Sequence, residues 1–430
     1  MRIWRFFLVT FMVFALGPGL LTACTETDTE KQSSALQPGG TTRPPDLAFG
    51  PITRIAPGDM VNTGFGESVG ISGDTLVVGA TDWNVGSGDQ YGSAYVYQRV
   101  AGEWVLQARL MSSDGQDGLQ YDQHFGRSVA IEGDTIVVGA PDADHPEAGD
   151  NTGAVYVYRR AGETWEEFAR LEAAEPRAHD RFGNRISLDG DTLAIAGDQD
   201  DALYVFVWKG DAWVQQARLR FPLPPANEWR QVSLALYGNT LAAGATSSAF
   251  FSMDGSGTVL VYQREGDTWT ESARLEGKWD FGVSVALGVS GEAQDGQADT
   301  LIIGSGGDSS AGLFAGAVYV YGWEGKGWSE KAKLAAADAM MELPSGSHNP
   351  FFGSAVALQG DLLLVLSRFS SAVFIYQRQG DGWIDQLKVM TDYSFGELEA
   401  WPIAIDGSTV LWGTPGEFGN SAHVFEIFPR

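Results

Sequence analysis

The sequence predicts an all-β fold: a seven-bladed β-propeller of four-stranded antiparallel blades, its ring closed by the N-terminal strand. Three observations predict it. A hairpin typified by "SVAIEGDTIVVGA" (128–140) recurs along the chain. A second hairpin, carrying a Trp, follows each full copy. The last copy stops one strand short, and a segment that would complete it stands near the start. Composition agrees. Of 430 residues, 44% are apolar, 19% are charged and 55 are Gly, the balance of many strands joined by many turns.

Residues 1–23 read as an export signal rather than as part of the fold. Arg2 and Arg5 precede an apolar run from Phe6 to Leu16. Gly17, Pro18 and Gly19 leave that run too short and too broken to span a bilayer as a helix. The ending "LTAC" (21–24) resembles the lipobox of bacterial lipoproteins. That resemblance implies cleavage before Cys24 and lipidation of Cys24. With Thr25 rather than Asp in the next position, it implies the outer membrane or cell surface. Cys24 is the one cysteine, so no intrachain disulfide is possible. Residues 24–46 then form a polar tether rich in Thr, Pro and Gly, with too little apolar surface to fold.

Residues 47–430 hold the repeats. The first hairpin turns at Gly73-Asp74, Gly133-Asp134, Gly190-Asp191, Gly238-Asn239, Gly360-Asp361 and Gly407-Ser408. Gly in the first central position permits the positive φ of a type II′ turn, which suits a two-residue hairpin. A seventh copy joins "FGVSVAL" (281–287) to "DTLIIG" (299–304) through a longer connection.

The second hairpin opens with strands such as "GAVYVYRR" and passes to Trp104, Trp165, Trp213, Trp269, Trp328 or Trp383. Simple alternation places Trp165, Ala169 and Leu171 on one strand face. The residue before that Leu position is basic in each copy: Arg109, Arg170, Arg218, Arg274, Lys333 or Lys388. Alternation points it to the opposite face, where a charge on an outer strand blocks edge-to-edge pairing. In "FGPITRIA" (49–56), Phe49 takes the Trp place, Arg54 the basic place and Ile55 the Leu place. Residues 47–56 are therefore expected to pair beside 422–428 and close the ring.

The pattern "FG-x-S-V-A … VVGAP … GAVYVY" resembles the FG-GAP repeat of the integrin α-subunit propeller and its bacterial relatives. Phe65-Gly66, Phe125-Gly126, Phe182-Gly183, Phe281-Gly282 and Phe352-Gly353 carry the FG half. Arg230-Gln231 and Glu399-Ala400 replace it in copies four and seven. In that family some blades hold Ca²⁺ in a loop between the first two strands. Here six copies have two residues there, too few for the six or more oxygens the ion takes. Copy five, "GVSGEAQDGQADT", has room, and the resemblance implies at most a weak Ca²⁺ site at Asp295 and Asp299. No other cofactor is expected.

Catalytic motifs fail in context. "GESVG" (66–70) matches a nucleophile elbow, but that elbow needs a strand-to-helix turn. Ser68 lies on a strand, and Ser128, Ser233, Ser284 and Ser354 occupy equivalent places. The chain is thus read as a binding or scaffold module and not as an enzyme. A polysaccharide-active enzyme or a purely structural envelope protein are the alternatives. Its partner would be a protein or glycan of the envelope, met by the variable loops opposite the tight turns. Candidate contacts there are Trp83, Tyr91, Asp142, Asp144, Phe250, Phe251 and Phe314. A net charge of −27 repels nucleic acid. The membrane is met through the lipid alone.

Cys24→Ala should abolish lipidation and release the protein from the membrane fraction. Metabolic labelling with a fatty-acid analogue, followed by fractionation, checks this; unchanged labelling would refute the lipobox reading.

Overall fold

The computed structural model describes residues 46–56, 64–81, 92–114, 123–222, 230–247, 255–291, 296–335, 351–368, 372–380, 382–390, 402–415 and 420–429. They form seven antiparallel sheets. Blade 1 comprises Ser68–Ser72, Thr75–Ala80, Ser93–Val100 and Glu103–Leu110. Blades 2 to 6 repeat this order over 128–171, 185–220, 230–278, 281–334 and 352–390. Blade 7 takes three strands from 403–429 and its outermost from Leu47–Phe49 and Thr53–Ile55. The first strands of successive blades touch around a ring, and that of blade 7 touches that of blade 1.

The turn prediction holds in detail. The six turn glycines have φ between +51° and +59°, and the residue after each keeps a negative φ. The turn also ties blades together. In four of these turns the glycine N–H bonds to the side chain that ends the previous blade's first strand. Ser72 Oγ accepts from Gly133 at 3.0 Å, Glu132 from Gly190 at 2.6 Å, and Asp189 from Gly238 at 2.6 Å. Asp406 of blade 7 does the same for Gly73 of blade 1, also at 2.6 Å.

The FG and GA halves of the repeat meet across blade boundaries. A Cβ on Gly139 of blade 2 would lie 2.0 Å from the Gly183 carbonyl of blade 3. The same holds for Gly79 against Gly126, Gly244 against Gly282 and Gly304 against Gly353. The recurrent serine caps that carbonyl. Ser68 donates to Gly126 O at 2.7 Å, Ser128 to Gly183 O at 2.7 Å, Ser233 to Gly282 O at 2.8 Å and Ser284 to Gly353 O at 2.9 Å. These serines are architectural. Where blade 4 lacks the FG pair, Arg185 replaces the serine of blade 3 and reaches the Val232 carbonyl at 3.1 Å. Phe65, Phe125, Phe182, Phe281 and Phe352 are buried, each edge-on or tilted to an aromatic ring of its own third strand.

One expectation about the outer strand needs correction. Trp165 does not share a face with Ala169 and Leu171. Registers place Glu167 opposite Tyr158 and Ala169 opposite Val157, so Phe168 is an extra residue in a β-bulge. The bulge reverses the alternation. Trp165 joins Tyr156 and Tyr158 in the core against blade 1, while Ala169 and Leu171 join the core against blade 3. The basic residue therefore lies on the Trp face, against the third strand. Arg109 sits 5.7 Å from the Tyr95 ring, Arg170 5.8 Å from Tyr156, Arg218 5.7 Å from Tyr204 and Lys333 4.9 Å from Tyr319. The same one-residue shift occurs in blades 1 and 3 to 6.

A second arginine ends the third strand of four blades and lies over that blade's Trp. It reaches back to a Thr of the preceding blade. Arg99 bonds Thr409, Arg160 bonds Thr75, Arg264 bonds Thr192 and Arg378 bonds Thr300, at 2.8 to 2.9 Å.

The closure forms as expected. Leu47 pairs with Pro429, Phe49 with Ile427, Arg54 with His423 and Ile55 with Ala422. Between Phe49 and Thr53 three residues face two on the partner strand, one extra as in the other blades. Leu47 and Ile55 are buried in the flanking cores. Each contributes roughly 1.5–3 kcal/mol. Deletion of residues 47–56 should lower the melting midpoint by at least about 5 °C in calorimetry. A midpoint equal to that of the parent would show that the seam needs no N-terminal strand.

Candidate functional site

The tight turns lie on one face of the ring; the connections between second and third strands and between blades lie on the other. Charged and strained residues gather on this loop face. At its inner rim, Thr81 donates to Glu67, Glu67 pairs with Arg127, and Arg127 Nε donates to Asn184 at 3.1 Å. Glu67, Arg127 and Asn184 each follow an FG pair, so the repeat itself places them side by side. A second chain runs from His124 to Asp142, then to Arg181 at 2.9 Å and from Arg181 to Asp198 at 3.5 Å.

The residue before the FG Phe is left-handed in five blades. Gly64 has φ +63°, His124 +49°, Arg181 +56°, Asp280 +61° and Phe351 +50°. Four of these are not glycine, a conformation L-residues avoid and that clusters at binding surfaces.

Further out, three blades build the same charged triad. In blade 3, Asp200 accepts from the Tyr204 hydroxyl and from Arg218 at 3.1 Å. In blade 5, Asp308 accepts from Tyr319 at 2.6 Å and pairs with Lys333 at 2.8 Å. Asp200 and Asp308 occupy the same place in the repeat; blade 2 has Ala143 there. Asp114, from the link into blade 2, supplies that carboxylate to Tyr156 at 2.6 Å and Arg170 at 3.0 Å. Burial, then the Asp200 hydrogen bond, pushes Tyr204 up to about 12. Burial opposes ionisation of Asp308, but hydrogen bonds from Lys333, Ser310 and Tyr319 outweigh it and hold the carboxyl below its usual range.

Between blades 3 and 4 lies an open cavity of about 590 Å³, lined by Arg177, Asp180, Gln199, Asp200, Asp201, Arg218, Arg220 and Arg230. It stands where blade 4 has Arg230 in place of the FG Phe. Phe221, from the link into that blade, is buried with Leu260 and Tyr262. Burial and the neighbouring Asp200 raise the Asp180 carboxyl above its usual range.

Of the residues the sequence singled out, Asp142 enters the His124–Arg181 chain and Asp144 accepts from the Asn151 amide at 2.8 Å. Phe314 is turned inward, 7% exposed, and its ring stacks on Phe351 at 5.3 Å. Asp299 accepts from Ser290 N and Oγ and from Thr300 Oγ1 at 2.6 to 2.8 Å. Burial opposes its ionisation, yet these bonds hold its carboxyl below the usual range. Among the described residues, no group of three or more His, Cys, Asp and Glu is placed to hold a metal. Cys24, Trp83, Tyr91, Phe250, Phe251 and Asp295 lie outside the described residues. The arginine-lined cavity and Asp280 were not singled out. The lost FG pair at Arg230 was the one signal for the cavity.

Burial alone lifts the Asp280 carboxyl to about 6. The unfolded value is near 4. The folded chain thus holds an extra proton between pH 4 and 6, and stability falls as pH rises through that window. Asp280→Asn should raise stability by about 1–3 kcal/mol at pH 7 and change it little at pH 4. Denaturant titrations at the two pH values check this; an equal effect at both would remove the titration as its cause.

The FG-GAP repeat family matches residues 54–97, 104–158 and 165–206. No curated protein matches the chain in sequence. Among solved structures, the WD40 domain of Toxoplasma gondii coronin is similar in fold, with TM-score 0.55 and 9% identity over 90% of this chain and 87% of that one. A putative 6-phosphogluconolactonase from Bacteroides uniformis aligns at TM-score 0.45 and 11% identity, over 76% of this chain and 86% of that one. The repeat match, the glycine contacts that give both halves of the motif their place, and the ring of seven four-stranded sheets agree: the chain is a seven-bladed β-propeller that carries FG-GAP repeats between residues 54 and 206.

Proposed function

We propose that this chain is a lipid-anchored binding module of the cell envelope, exported through residues 1–23 and held at Cys24, that recognises an envelope protein or glycan with its loop face. The observation that carries the reading is the difference between the two faces. On the turn face, the side chains that recur serve the ring itself: Asp406 and Glu132 bond the next blade's turn amide, and Arg99 and Arg160 bond the preceding blade. On the loop face, a charged inner rim, left-handed non-glycine residues and an open arginine-lined cavity stand on rigid blades. Preorganised polar groups on a scaffold that needs no rearrangement favour recognition. The repeat architecture by itself does not choose among functions.

Immobilised full-length chain, exposed to solubilised envelope proteins and polysaccharides of the native organism, should retain a component. A variant with Trp83→Ala, Tyr91→Ala, Phe250→Ala and Phe251→Ala should lose it, whereas the turn-face variant Asp267→Asn should keep it. Retention by the first variant and loss by the second would overturn the assignment to the loop face. Retention of nothing by the parent would overturn the binding reading itself.

A further inference from the structure

We infer that the cavity between blades 3 and 4 binds a hydroxylated carboxylate, specifically a uronic acid unit of an acidic polysaccharide. The inference rests on the binding-module reading and names its ligand.

The argument starts from charge. The chain has 55 acidic residues against 28 basic ones, so a cation has carboxylates within easy reach. Most of the arginines described above are held by one: Arg127 by Glu67, Arg170 by Asp114, Arg181 by Asp142 and Asp198. The cavity breaks this pattern. Of its four arginines, Arg218 is held by Asp200 and the Tyr204 hydroxyl. Among the described residues Arg230 makes one long hydrogen bond, 3.5 Å to Gln199, and its buried Nε has no partner. Arg177 and Arg220 have no side-chain hydrogen bond or ion pair among the described residues; Arg177 reaches Asp180 through its backbone amide and, from its side chain, through the field alone. Three loosely held guanidinium groups lining one open cavity of a strongly acidic protein are matched to an anion. The planar fork suits a carboxylate and sheds water readily.

The remaining lining says which anion. Gln199 and Asp180 are acceptors beside the arginines, and burial keeps Asp180 reluctant to ionise. Acceptors in a recess call for hydroxyl donors. Among the described residues no aromatic or aliphatic side chain lines the cavity, whereas peptide anchors are seated by apolar walls. A sugar acid offers a carboxylate to the arginines and hydroxyls to the acids at once.

The test is calorimetric titration of the full chain with oligogalacturonate, with a neutral maltooligosaccharide of equal length and a polyaspartate peptide as comparators. Oligogalacturonate should bind, more weakly at high salt, and the comparators should not. Arg230→Gln and the solvent-facing Arg220→Gln should each weaken binding about tenfold or more, with unchanged melting. Undiminished affinity in both variants, or preference for polyaspartate, would overturn the inference. So would absence of oligogalacturonate binding by the parent. If the envelope capture experiment succeeds while oligogalacturonate fails, the ligand assignment falls and the binding reading stands.

Discussion

The fold depends on one close approach: a glycine Cα of one blade against a glycine carbonyl of the next. Gly139 facing Gly183 is typical, with no room for a methyl group between them. Seven wedge-shaped sheets must converge near the ring axis, and their inner strands leave no space for side chains at that depth. In four of these contacts a serine hydroxyl satisfies the carbonyl that the approach has cut off from water. The two halves of the repeat signature are thus the two sides of one interface. They are read thirty to sixty residues apart only because each belongs to a different blade.

That contact also explains where the repeat is allowed to vary. Blade 4 has lost the FG pair, and the blade before it has exchanged serine for Arg185, whose longer reach finds Val232 O instead. Loss of the aromatic and entry of Arg230 leave a charged recess at the same boundary. The one described boundary at which this pairing is relaxed in favour of an arginine is also the one that carries the cavity. A change in the packing rule and a change in surface chemistry coincide there.

Much of this was legible in the chain. Positive φ at Gly133 followed from a two-residue turn between apolar runs, and the closing strand followed from counting strands in the last copy. The faces of the outer strand were not legible. Alternation from Trp165 to Leu171 reads as one face, and a single extra residue, Phe168, reverses it. A bulge changes no residue type, so pattern alone does not reveal it. The loop-face groups were legible only in part. Asp142 stands out as an acid in a variable loop, but its neighbours His124 and Arg181 come from different inter-blade links. Asp280 has no sequence mark at all; its raised pKa comes from burial.

The position of the seam has a further consequence. Leu47 pairs with Pro429 where the third strand of blade 7 reaches the turn face. The polypeptide therefore enters and leaves the ring at neighbouring points, on the side away from the variable loops. A linker of a few residues could join those points without crossing any blade. The seam lies inside blade 7, between its third and outermost strands, and is distinguished from the same pairing in other blades by the break in the backbone. New termini opened at an inter-blade link would give a circular permutant with the same cores, the same glycine contacts and an unobstructed loop face.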